Sequence, residues 1–230
     1  MHNGPVTRAI SNRYPPLRIG EIAMDLFLDN QPLAVIEDSE ATIRDVINRV
    51  SDDLKGRNRV VCEVYVDEVP QGDWQNDPFA EQHIREINSL RLISEEPRRL
   101  AIKVLYDIAK YMSPIQKELV DISSFLQSRQ EEQAFNRLQQ LMYAWSQLYH
   151  GLNGASAILG VDHDRIAVGQ QSASEIHLQV LQLLEDATRH LQEQRFLELS
   201  DLLEYELAPK MPLVEEAIYV MIREAERPQH

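Results

Sequence analysis

Cysteine is nearly absent: Cys62 is the single one among 230 residues, so the chain cannot form an internal disulfide. That points to a reducing, cytoplasmic setting. Glycine (8) and proline (11) are scarce, which excludes collagen-like and low-complexity chains. Basic side chains are in the minority, 23 Lys and Arg against 37 Asp and Glu, for a formal charge of −14. Such a surface repels a phosphate backbone, so nucleic acid is not an expected ligand. No apolar run approaches the roughly 18 residues that a membrane span needs, and no signal-peptide core opens the chain. The remaining balance, 43% hydrophobic and 26% charged, is that of a folded soluble protein with one large domain or two small ones.

Residues 1–22 carry Pro5, Pro15 and Pro16 and no apolar period. Arg8, Arg13 and Arg18 face only Glu21, so this segment is +2 and the remainder −16. It reads either as a frayed terminus or as a flexible basic arm that docks on an acidic body, its own or a partner's.

From residue 23 to 95 the pattern is mixed. Met24, Leu26 and Leu28 alternate with Asp25 and Phe27, Asp29 to Pro32 supplies a turn, and Leu33 to Ile36 resumes an extended run. Two short strands joined by a turn are expected. Ser39 or Thr42 then caps a helix whose face is Ile43, Val46, Ile47, Val50 and Leu54, and Gly56 stands at its C′ position. In residues 60–66, Val60, Cys62, Val64 and Val66 occupy one strand face, with Cys62 as buried filler, and residues 89–93 read as a last strand. This ββαββ order resembles the β-grasp, or ubiquitin-like, fold in topology and element lengths. The resemblance implies a small mixed sheet with one helix packed across it. The open face or edge of that sheet would be a binding surface, with no di-glycine tail and no iron–sulfur cysteines.

Beyond residue 96 the period is helical. Ala101, Leu105, Ile108, Met112, Ile115, Leu119, Ile122 and Leu126 follow at alternating spacings of 4 and 3. Ala134, Leu138, Leu141, Trp145, Leu148, Leu152, Ala155 and Leu159 repeat the pattern after a polar stretch. Each run is 26 residues, about 39 Å of helix, and the equal lengths predict an antiparallel hairpin. The first run keeps its phase through Pro114, so one kinked helix is expected there. Gly151 and Gly154 sit inside the second run, either fraying it or, as we prefer, allowing a close approach of the neighbouring helix. Residues 160–172 form a polar loop, Ser172 or Ser174 caps a third helix, and Pro209 and Pro212 bend or divide the last segment. The fold class is therefore α+β, with a β-grasp-like module followed by a long antiparallel four-helix bundle over residues 96–228.

Catalytic signals are sparse. No Glu precedes a candidate histidine by three residues, as a dinuclear metal bundle requires: Ala80, Gln147, Ser174 and Ala187 precede His83, His150, His177 and His190. Asp162-His163-Asp164 invites a metal reading, but adjacent residues rarely face one ion, and a solvated loop is expected. There is no nucleophile elbow and no glycine-rich phosphate cradle. No cofactor, metal or catalytic residue is assigned.

What remains points to binding. Tyr143, Tyr149 and His150 lie off the strict seam, either as a second buried face or as a partner groove. Trp74 and Phe79 either pin a polar loop to the bundle or stay exposed for a partner. Acidic residues crowd the last two helices, as a solvated face or a dock for a basic segment. The expectation is a non-enzymatic cytosolic adaptor, assembly factor or chaperone-like protein that binds another protein chain, as a homodimer. The alternatives are an enzyme or a small-ligand sensor with a pocket at the junction of the modules, where His83, Tyr106, His150 and Asp164 are the polar candidates.

Overall fold

Asp29 and Asn30 both adopt left-handed backbone, φ 51° and 62°, the geometry of a two-residue turn whose twist matches paired strands. They join β1 (Asp25–Leu28) to β2 (Gln31–Pro32). The turn is thus two residues long rather than four, and Gln31 and Pro32, expected in it, are strand. The computed structural model describes residues 24–33, 41–72, 74 and 78–227. The basic arm with Arg8, Arg13 and Arg18, the Ser39 cap, and the end of the strand expected at Leu33 to Ile36 lie outside the described residues.

The first unit, Met1–Glu96, adds α1 (Ile43–Lys55), β3 (Val60–Val66), β4 (Val69–Pro70) and β5 (Ser89–Glu95). The sheet order is β2-β1-β5-β3-β4, with β1 parallel to β5 and the other pairings antiparallel. A small mixed sheet with one helix packed across it is the arrangement that the β-grasp resemblance implies. The short β4 was not expected. It follows a second left-handed turn, Asp67 and Glu68 at φ 48° and 66°. The core face is Met24, Leu26, Val64, Leu90 and Leu92 against Ile43, Val46, Ile47, Val50 and Leu54 of α1.

Local chemistry fixes these elements. Thr42 is the N-cap of α1: its hydroxyl accepts from the Asp45 amide at 3.2 Å and the Asp45 carboxylate accepts from the Thr42 amide at 2.9 Å. Gly56 caps α1 with ordinary helical backbone, φ −64°; the left-handed residue is Asn58, φ 53°. In β3 the pairing register shifts between Val61 and Glu63. That bulge interrupts the alternation, so Val61, Val64 and Val66 pack on the core while Val60 is exposed and Cys62 only half-buried. The thiol donates to the Ile93 carbonyl at 3.4 Å.

The second unit, Pro97–His230, is built from α2 (Pro97–Gln127), α3 (Glu131–Leu159), α4 (Ala173–Gln192), α5 (Phe196–Asp201) and α6 (Met211–Glu226). Pro114 lies within an unbroken α2. The turn to α3 is only three residues, with Arg129 left-handed at φ 57°. Helices α2 and α3 are antiparallel: Arg137 near the start of α3 reaches Glu118 near the end of α2 at 3.2 Å. At the other end, Ile108 and Val104 of α2 lie 3.4 and 3.7 Å from where a Cβ on Gly151 would stand. Close approach therefore holds at Gly151. It does not at Gly154, where such a Cβ meets nothing within 4 Å.

Between α5 and α6 the backbone never leaves the helical region. Leu202–Leu207 is π-helical and Ala208–Lys210 is 3₁₀, so the prolines change the winding and do not split the segment. This composite helix runs antiparallel to α2. Tyr219 meets Tyr106 edge-on at 6.4 Å near one end, and Ser200 meets Ser123 near the other. The unit is thus four helical segments, α2, α3, α4 and α5–α6, in up-and-down succession. Leu105, Met112, Leu119, Ile122, Leu199, Leu203 and Met211 are at most 1% exposed, each stabilising the unit by roughly 1.5–3 kcal/mol through burial.

One polar knot runs from this interior out to the surface, with Ser123 and Ser200 buried, Glu204 half-buried and Gln127 exposed. Ser123, fully buried, donates to the Glu204 carboxylate at 2.8 Å and lies 2.9 Å from the Ser200 hydroxyl. The Gln127 amide donates to Ser200 at 3.0 Å and to Glu204 at 3.2 Å. Its members satisfy one another at the start of the π-helical turn.

Candidate functional site

The apolar seam of α3 is only partly used. Its first half, Ala134, Leu138 and Leu141, is buried on α2, but Trp145, Leu148 and Leu152 are half-buried. The cause is geometric: α3 packs along α2, α4 packs against α5, the π turn and α6, and α3 and α4 do not approach closely. Between them lies a cleft of about 540 Å³, open mouth included. Trp145, Leu148, Tyr149 and Leu152 form one wall, Ile176, His177 and Val180 the other, with Ile108 and Met112 of α2 and Ile218 and Met221 of α6 behind. A second, smaller hollow shares Trp145 and Val180 with the first. It extends between Met142 on α3 and Leu184 on α4.

The polar groups gather at one end. Tyr149 stacks flat on His177 from the opposite wall, ring centroids 4.2 Å apart and planes at 7°. His163 lines the same end and its Nε2 lies 2.8 Å from the Ser156 hydroxyl. Burial pushes both imidazoles below their ordinary pKa. At His163 the charges of Asp162 and Asp164 partly offset that effect, and at His177 the neighbouring His163 adds to it. His177 Nε2 and Trp145 Nε1 are buried with no hydrogen-bond partner in the protein. An unsatisfied buried polar atom costs about 1–3 kcal/mol until a partner reaches it.

The sequence-derived candidates fall in different places. Tyr149 lines the cleft, while Tyr143 (70% exposed) and His150 point to solvent. Trp74 and Phe79 are half-buried against the core of their own first unit. His83 precedes a 3₁₀ turn of the first unit and bridges to Thr42. Tyr106 pairs with Tyr219, and Asp164 is exposed in the turn after α3. Among the described residues no hydrogen bond joins Tyr106, His150 and Asp164. The loop expected at residues 160–172 is more than solvated chain: it holds a 3₁₀ turn, His163–Arg165, and a tight hairpin of β6 (Ala167–Val168) and β7 (Gln171–Ser172). Ile166 and Val168 are buried, which turns His163 inward.

Missed altogether were His177 and the role of Trp145. His177 sits next to the buried Ile176, one position off the seam, and nothing in the spacing separates it from a surface histidine.

Among the described residues no group of three or more His, Cys, Asp or Glu stands ready for a metal, and no helix is long and apolar enough to cross a membrane. Residues 103–216 match the family described as a domain of unknown function (DUF8042). That stretch contains both walls of the cleft. No curated protein and no solved structure matches the chain.

Proposed function

We propose that this chain is a non-enzymatic binding protein whose helical unit receives an apolar guest in the cleft between α3 and α4. One observation carries the reading: two helices with apolar facing sides stand apart and leave Trp145, Leu148 and Leu152 half-buried. Helix bundles hold ligands in such spaces. An adaptor, assembly factor or chaperone-like role is supported by this shape, since an amphipathic segment of another protein chain lays its apolar face into grooves of this kind. The −14 charge supports a protein or small-molecule guest over nucleic acid, and the single cysteine supports a cytoplasmic setting. A homodimer belongs to the same proposal. The sensor reading is favoured by a different observation, the unpartnered nitrogens of His177 and Trp145.

The test is purification from the native cell followed by native mass spectrometry. A stoichiometric guest retained by the wild type and absent from Val180→Phe, which narrows the stretch common to both hollows, supports the reading. A guest retained equally by both proteins overturns it, as does wild-type protein that arrives bare and takes up no apolar probe. The same spectra report the mass of any dimer.

A further inference from the structure

The two hollows lie end to end between α3 and α4, with Trp145 and Val180 lining both. Along α4 the pair is bounded from Ala173 to Leu184, and along α3 from Leu141 to Leu152. Each is eleven residue steps, about 16 Å at 1.5 Å per residue. The pair is chemically polarised along that length. Its far half is lined by aliphatic side chains with Met142 and Met211. Its near end holds His163, His177 and Tyr149, and no carboxylate or cationic Lys or Arg lines either half. An amphipathic helix lays an apolar face along the whole of such a groove and brings no partner to the polar groups gathered at the His177 end.

We infer that the two hollows open into one channel that binds a linear amphiphile, an unbranched hydrocarbon chain lying along Trp145 and Val180 with an uncharged hydrogen-bonding head at the His177 end. This rests on the apolar-guest reading above. The head is uncharged because nothing cationic faces it, Asp162 and Asp164 flank His163, and the chain is strongly acidic. An ester or amide carbonyl, or a hydroxyl, supplies a partner for the unsatisfied His177 Nε2. The apolar chain replaces empty space against Leu148, Leu184 and Met211.

The sequence has two tryptophans, so Trp74→Phe leaves Trp145 as the sole indole and makes its emission a direct reporter. Monolaurin, titrated below its micelle concentration into this full-length variant, is expected to give a saturable change in Trp145 emission. Laurate, with the same chain and a charged head, is expected to bind more weakly. Val180→Phe should abolish the response while circular dichroism shows the helices intact. His177→Phe preserves a ring against Tyr149 but deletes Nε2, and should weaken monolaurin about three- to tenfold, as loss of one hydrogen bond does. No saturable response to monolaurin, tighter binding of laurate, or an unchanged response in folded Val180→Phe would each overturn the inference. An amphipathic helical peptide that shifts Trp145 emission where monolaurin does not would sink the amphiphile and leave the apolar-guest reading standing. Silence toward both probes would end both.

Discussion

Tyr149 lies flat on His177, 4.2 Å between ring centroids, and this one contact ties α3 to α4 where their backbones stand apart. The stacked pair lines the polar end of the cleft, and the imidazole is partly dehydrated there, which is why burial depresses its pKa.

A pH dependence follows. A histidine whose pKa is lower in the folded than in the unfolded chain binds fewer protons when folded, so it opposes folding once the pH falls below the unfolded value. His163 and His177 both behave this way, with Asp162 and Asp164 moderating the effect at His163. Stability of the helical unit is therefore complete above about pH 6.5 and declines as the pH drops toward the folded pKa values. Melting curves between neutral and mildly acid pH should show this for the wild type and show less of it for His177→Phe. An identical slope in both proteins would refute the assignment.

The knot of Ser123, Ser200, Gln127 and Glu204 should behave as one unit. Ser123→Ala removes the donor to Glu204 and the partner of Ser200, with a loss of roughly 1–2 kcal/mol. Ser200→Ala should cost less, and the double variant less than the sum, with a coupling of at least about 0.5 kcal/mol. Denaturant unfolding of the four proteins measures it; strict additivity would mean the contacts are incidental.

Asp29 carries two duties in the first unit. Its carboxylate accepts from the Ser94 amide at 2.7 Å and the Ser94 hydroxyl at 2.8 Å, and its backbone is left-handed. Asp29→Ala loses both bonds and strains the turn, for a combined cost of about 2–3 kcal/mol. Asp29→Asn tolerates the backbone and should lose about half as much. Hydrogen exchange at the Ser94 amide reports the difference directly.

The two glycines of α3 should separate. Gly154→Ala meets open space and should stabilise by about 0.5–1 kcal/mol through helix propensity. Gly151→Ala meets Ile108 at 3.4 Å, so its gain is smaller, and Gly151→Leu should destabilise. Thermal melts of the three variants rank them.

Much of this architecture was legible because periodicity reports which side of a segment is apolar. Leu105 through Leu126 showed α2 continuing as one helix through Pro114, and Ile43 through Leu54 showed the buried face of α1. The alternation in β3 misled because one extra residue at the bulge shifts every side chain before it to the other face, turning Val60 outward. The cleft was hidden for a related reason. Trp145, Leu148 and Leu152 keep perfect spacing, but spacing cannot say whether a neighbouring helix arrives to cover them. His163 was hidden by sequence distance: its partner Ser156 and the stacked pair Tyr149 and His177 converge only once Ile166 and Val168 anchor the intervening turn.

The wide turn at Leu202–Leu207 has a bearing on how this protein tolerates change. It absorbs slack in the winding of the last helix ahead of Pro209. Its six residues turn through roughly the angle that five take in regular α-helix. The added residue is thus taken up without a change of phase, and Ile218 and Met221 still line the cleft. Losing one residue from this stretch would tighten the coil and leave them in place, whereas losing one between Met211 and Ala217 would swing all that follows by about 100°.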